Sequence, residues 1–150
     1  MIRKATEKEV EILASIEINS GYEFRKKIDL KKEIKRIKED FKRGCEFFVF
    51  EDKERMLAYA SLLINNKNLH IDYLSVLKKY HGKGIGKKFK RFFEIYAKKM
   101  GCRRILTEVN NKNFPMIGLN AKFGYVVVDI MEKKNNGKKV KKLLMEKLIS

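Results

Sequence analysis

Apolar residues recur along this chain with two periods, and the chain switches between them several times. Ile2-Arg3-Lys4-Ala5-Thr6 is a short strand-like opening, and Thr6 with Glu9 makes a capping-box pattern ahead of Val10, Leu13 and Ile16 at helical spacing. Leu30, Ile34, Ile37 and Phe41 repeat that spacing with lysines on the outer face, which predicts a second amphipathic helix. Glu46 to Glu51 reads as a strand, followed by a charged turn at Asp52-Lys53-Glu54-Arg55. Met56 to Ile64 and Leu69 to Leu77 pair as a hairpin across Asn65-Asn66-Lys67-Asn68. Ile85, Phe89, Phe92 or Phe93, Tyr96 and Met100 form an apolar helix face that Gly101 ends. A strand over Arg104 to Val109, a short helix around Met116 to Lys122 and a strand from Tyr125 to Glu132 follow. A turn at Asn135-Asn136-Gly137 leads to a last strand from about Val140 to Ile149.

The strand–helix–strand run from Leu69 to Val109 makes its two strands parallel, because the helix must cross over the sheet. The other strands join through short connections. The pattern predicts one α+β domain over residues 1–150, with a mixed, mostly antiparallel sheet of about seven strands and about four helices. With 150 residues, 44% of them hydrophobic, the chain can bury one proper core. No apolar run approaches the roughly 20 residues of a membrane span, and the N-terminus lacks a secretory pattern, so no membrane partner is expected. Cys45 and Cys102 form neither a CxxC motif nor part of a metal quartet. A reduced, cytoplasmic setting and no metal are the expectations.

Candidate chemistry concentrates at His81-Gly82-Lys83-Gly84-Ile85-Gly86, between the second hairpin strand and the long helix. Glycines at a strand-to-helix junction leave the backbone bare, so N–H groups can converge on an anion at the positive end of the helix. A Walker loop needs four residues between its glycines and a Lys-Ser/Thr pair; here three residues separate Gly82 from Gly86, and Lys87-Lys88 follows. A dinucleotide fingerprint would need glycine at Lys87. The pattern that fits is R/Q-x-x-G-x-G/A, with His81, Gly84 and Gly86 in its marked places.

That loop resembles the GNAT superfamily of acetyl-CoA-dependent N-acetyltransferases. Further matches are the opening Ile2 to Thr6, the segment from Asn113 to Tyr125 against N-x-x-A-[IV]-x-L-Y-x-x-x-G-[FY], and the closing Leu144-Met145-Glu146-Lys147. The resemblance implies that acetyl-CoA binds with its diphosphate on His81, Gly82, Lys83, Gly84, Ile85, Gly86 and Lys87. It also implies a parted pair of parallel central strands, where the backbone of Leu74, Ser75 and Val76 bonds the pantetheine amides. Asn113 matches an Asn that reaches the cofactor; it equally suits a helix N-cap ahead of Phe114-Pro115.

Acetylating an amine calls for a base to take its proton. Glu108 is the first candidate, because its five-residue spacing to Asn113 resembles that of ribosomal-protein alanine N-acetyltransferases; pairing with neighbouring lysines is its structural alternative. His70 and Asp72 are rival bases, placed on the same strand face as Leu74 and Val76. Asn120 stands where many family members carry a Tyr that protonates the leaving thiolate, and Asn cannot supply that proton. The implied acceptor is a primary amine, with a protein N-terminus or a lysine preferred.

Charge leaves a second class of function open. The net charge is +17; residues 1–75 hold 16 Lys and Arg against 14 Asp and Glu, and residues 76–150 hold 20 against 5. That excess fits attraction of a polyanionic cofactor, contact with nucleic acid or the ribosome, or a solvated lysine-rich surface. A non-catalytic acetyl-CoA-binding protein or a basic nucleic-acid-associated module is the alternative reading. The acceptor pocket is expected around Asn19 to Lys27 and the last hairpin, and either a monomer or a homodimer is compatible with the sequence.

Overall fold

Two tight turns organise the first hairpins. Lys53 and Glu54 take φ of 50° and 65°, and Asn66 and Lys67 take 50° and 62°. Paired left-handed residues give a two-residue turn whose twist matches that of the flanking strands. The strands therefore run closer together in sequence than composition suggests, because none of these four residues is glycine. The computed structural model describes residues 1–21, 29–135 and 137–150. Its elements are β1 (Ile2–Lys4), α1 (Val10–Ile18), α2 (Leu30–Lys42), β2 (Glu46–Asp52), β3 (Arg55–Asn65) and β4 (Asn68–Val76). They continue with α3 (Ile85–Lys99), β5 (Arg104–Asn110), α4 (Phe114–Lys122), β6 (Val126–Asn135) and β7 (Lys138–Leu148).

The seven strands make one mixed sheet in the order β1-β2-β3-β4-β5-β7-β6. β4 and β5 are parallel, pairing Asn68 with Arg104 through Ile71 with Thr107, as a crossover through α3 requires. The expected α+β architecture with a parallel pair is borne out. Among the described residues, no helix is long and apolar enough to cross a membrane. Internal packing divides the chain into two compact units, Met1–Leu63 with Asp72–Phe89 and Ile64–Ile71 with Lys90–Ser150.

In the first unit, Val10, Leu13, Ala14 and Ile16 of α1 join Ile37 of α2, Phe47, Val49 and Tyr59 in one core cluster. Phe41 stacks on Phe47 at 4.4 Å, and Phe47 lies 6.0 Å from Tyr59. The capping pattern at the N-terminus is present: Glu9 accepts the Thr6 N–H at 3.0 Å. Asp29 caps α2 by accepting the Lys31 N–H at 3.0 Å.

In the second unit, β5, β7 and β6 form an antiparallel ribbon. Leu69, Phe93, Ala97, Ile105, Val109 and Met145 are buried there, whereas Met100, expected on the apolar face of α3, is exposed. Gly101, at φ 72°, ends that helix. β6 closes the strand order. It carries a bulge between Val127 and Asp129 and shows Val126, Val127, Val128 and Ile130 to solvent. The turn expected at Asn135-Asn136-Gly137 includes Asn136, which lies outside the described residues.

Candidate active site

The chain leaves β4 at Val76, makes a 3-10 turn over Lys78–Tyr80 and enters α3 at Ile85. Gly82 and Gly84 lie between, at φ 75° and 84°, a region that side chains disfavour. A Cβ added to either glycine would meet no atom within 4 Å, so both Cα faces are open. Lys88 N–H bonds the Gly84 carbonyl at 3.2 Å. The amides of Ile85, Gly86 and Lys87 are thus first-turn donors, which an α-helix cannot satisfy internally. His81 Nε2 sits 2.8 Å from the Val76 carbonyl oxygen and ties the loop to the end of β4. Lys83, Lys87 and Lys88 are exposed around the loop. Bare amides, a positive helix end and nearby ammonium groups suit a diphosphate.

β4 runs five residues past the end of the parallel ladder, and Leu74, Ser75 and Val76 in that stretch are buried. Ser75 Oγ donates to Glu17 Oε1 at 2.7 Å, and the Tyr59 hydroxyl donates to the same oxygen at 2.7 Å. Arg36 donates to the Tyr59 hydroxyl at 3.1 Å and to Asp40 at 2.8 Å, pairs with Glu33, and lies 3.8 Å over the Tyr73 ring. Burial pulls the Arg36 guanidinium down, but Tyr59, Tyr73 and Glu33 outweigh it and hold it above its ordinary range. Sequence reasoning missed Glu17. Its signal is position: it falls on the Val10 and Leu13 stripe of α1, where a charge needs partners. A cavity of about 730 Å³ is lined by Ile18, Asn19, Gly21 and Leu77 to Tyr80. It includes the start of the expected acceptor region, whose remainder from Tyr22 to Lys27 lies outside the described residues.

The second unit holds the other candidates. Glu108 of β5 is exposed, and Lys133 Nζ of β6 donates to its Oε1 at 2.5 Å. His70 pairs with Leu106, which puts it on the same strand face as Glu108, two residues on. Asn113 caps α4, accepting the Met116 N–H at 3.3 Å with a Pro in the first turn. Asn120 is fully buried; its amide donates to Met145 Sδ at 3.5 Å, and its Oδ1 has no partner among the described residues. Tyr125 is buried nearby in sequence, with burial and the Glu94 charge driving its hydroxyl well above the usual range. Lys90, which sequence reasoning also missed, is 1% exposed. Its ammonium lies 4.8 Å from the Tyr125 ring centroid, and desolvation pulls it down to about 7. In the first unit, the rival base Asp72 accepts from Arg43 at 3.3 Å and lies 3.6 Å from Cys45 Sγ. Burial, then the Asp72 charge, pushes that thiol up to about 11.

The profile of the acetyltransferase (GNAT) family matches residues 11–125, three-quarters of the chain and all of the glycine loop. The protein belongs to that family. No curated protein sequence gives a match. Solved structures do. A ribosomal-protein-alanine N-acetyltransferase from Brucella melitensis is 18% identical with a TM-score of 0.80, and the match covers 99% of both chains. A Salmonella typhimurium protein solved with its cofactor acetyl-CoA is 16% identical with a TM-score of 0.77, covering 100% of this chain and 94% of the other. A chimeric spermidine N-acetyltransferase from Vibrio cholerae is 15% identical with a TM-score of 0.81, covering 99% and 94%. At such identities the likeness establishes the shared fold. Among the described residues, no group of three or more His, Cys, Asp or Glu is placed to hold a metal ion.

Proposed function

We propose that this family member moves the acetyl group of acetyl-CoA to a primary amine by direct attack in a ternary complex. The observation that carries this reading is the loop at the start of α3, where Gly82 and Gly84 keep both Cα faces open. At the start of a helix, that open backbone leaves first-turn amides accessible to an anion. The backbone of Leu74, Ser75 and Val76, past the ladder's end, is offered to the pantetheine amides as an added strand. Lys83, Lys87 and Lys88 supply charge for the phosphates, and His81 steadies the loop.

When bound, acetyl-CoA supplies an activated acyl group as a thioester. Glu108 takes the proton of the acceptor ammonium, with His70 on the same strand face as the alternative base. Asn120 contributes no acid, since its amide is spent on Met145. A thiol with an ordinary pKa of about 8.5 departs tolerably as a thiolate without one. Protein N-termini are the preferred acceptor. An α-amine with pKa near 8 is partly neutral at pH 7, and the Glu108-to-Asn113 spacing, which resembles that of ribosomal-protein alanine N-acetyltransferases, supports the same choice. A chain of net charge +17 repels polyamines. Two free, buried cysteines suit a reducing cytoplasm.

Calorimetry with acetyl-CoA and CoA, followed by thiol release over a panel of peptides, lysine derivatives and spermidine, tests the proposal. Absence of heat with both nucleotides overturns it. The Lys133 contact on Glu108 favours a second reading, binding without turnover, which predicts heat but no thiol release with any amine.

A further inference from the structure

We propose that Lys133 is an intramolecular acetyl acceptor, so that the enzyme modifies its own β6–β7 hairpin. This rests on the role proposed for Glu108. A general base must stand within hydrogen-bond reach of the amine whose proton it takes. Lys133 presents a primary amine at 2.5 Å from Glu108 Oε1, within that reach. The residue lies beyond the stretch matched by the family profile, on the C-terminal ribbon of β6 and β7.

The ribbon explains how the amine gets there. Glu108 is opposite Leu144, which is opposite Asp129, so these three share one face. Lys133, four residues after Asp129, is on that face too, and its long side chain reaches back across β7. Its neighbour Lys134 pairs with Lys139 on the other face, away from Glu108. The Lys133 and Glu108 side chains are 48% and 38% exposed. A pair this open holds only weakly, so the amine is presented rather than locked.

The chemistry balances without a further reagent. Lys133 ammonium gives one proton to the Glu108 carboxylate, which passes it to solvent. The neutral nitrogen forms a bond to the acetyl carbonyl carbon, and the thioester C–S bond breaks. The remaining excess proton on nitrogen leaves with the thiolate, giving CoA thiol and a neutral Nε-acetyl-Lys133. The acetylated nitrogen carries no charge, so the ion pair is lost and Glu108 is freed for external amines. Self-acetylation thus doubles as activation.

The test is to incubate the purified chain with acetyl-CoA and no added amine, and to follow acetylation by peptide mass spectrometry. Acetyl-Lys133 is expected to appear first, at a rate per molecule independent of protein concentration, and well ahead of Lys134 and Lys139. Glu108→Gln should slow Lys133 about 100-fold or more while leaving slow chemical acetylation of Lys134 untouched. Preincubation should abolish a lag in thiol release with an external amine. If acetyl-CoA binds by calorimetry but Lys133 reacts no faster than Lys134, or if its rate scales with protein concentration, self-modification is wrong and the acetyltransferase reading stands. If acetyl-CoA does not bind, both fall.

Discussion

Replacing Lys90 by Met should stabilise the protein, by an amount that depends on pH in a defined way. The Lys90 side chain is 1% exposed, and its ammonium has fallen from 10.5 to about 7 because burial strips its water. That fall makes protonation about 5 kcal/mol less favourable in the folded chain than in the unfolded one. The Tyr125 ring face beneath the ammonium, 4.8 Å away, returns roughly 1 kcal/mol. About 4 kcal/mol is left against folding at pH 7. Met fills a similar volume, is unbranched and needs no partner. Between about pH 7 and 10.5 the unfolded chain holds a proton on Lys90 that the folded chain lacks, so the parent gains stability as pH rises. Below pH 7 both states hold it and the penalty is constant. Urea denaturation at pH 7, 8 and 9 should show Lys90→Met more stable by about 2–4 kcal/mol at pH 7, with the gap closing by up to about 1.4 kcal/mol per pH unit. Staying below pH 9.5 keeps Tyr125 out of the comparison. A variant less stable than its parent, or two parallel pH profiles, would refute the reasoning, because the ammonium would then have a partner that offsets its burial.

Gly84→Ala should cost about 1 kcal/mol from the φ of 84° and lower CoA affinity at least ten-fold; unchanged affinity by calorimetry would rule out the diphosphate cradle. Asn120→Tyr puts a larger ring into a fully buried position and should cost about 1–3 kcal/mol, read as a lower urea midpoint. A midpoint equal to the parent's would mean that the ring finds another path out. Tyr59→Phe removes one donor to Glu17 and one acceptor from Arg36, so a loss of about 1.5–3 kcal/mol is expected; a neutral effect would count against the buried network.

Regular periodicity made most elements readable. α2, α3 and the β4–α3–β5 crossover announce themselves through stripes of Leu, Ile and Phe, and the glycine loop through composition alone. Boundaries drifted where a local contact decides them. α4 begins at Phe114, two residues earlier than its apolar spacing suggests, because Asn113 caps it and the Pro sits in the first turn. The strands of the first two hairpins lengthened because Lys53, Glu54, Asn66 and Lys67 accept left-handed backbone without glycine. Charged residues were the systematic blind spot. Arg36 and Lys90 look like solvent-facing positions in the sequence, and Glu17, though on the apolar stripe of α1, names no partner there; only tertiary contacts show that Glu17 and Arg36 are bonded inside and that Lys90 is buried. The Glu108–Lys133 pair spans 25 residues. A lysine partner for Glu108 was foreseeable from the abundance of lysine, but its identity depends on how β7 lies between two other strands.

The outermost strand has a practical consequence for anyone handling this protein. A ribbon margin bearing three consecutive valines and an isoleucine, with Asp129 as the sole charge from Val126 to Met131, is a natural template for stacking molecules. Mutual repulsion from a +17 surface and the kink at the bulge both work against such stacking. Repulsion of that kind fades over about 8 Å at physiological ionic strength and about 3 Å in molar salt. Concentrated stocks should therefore cloud in high salt and clear on dilution into a low-salt buffer, the reverse of what a nearly neutral protein does.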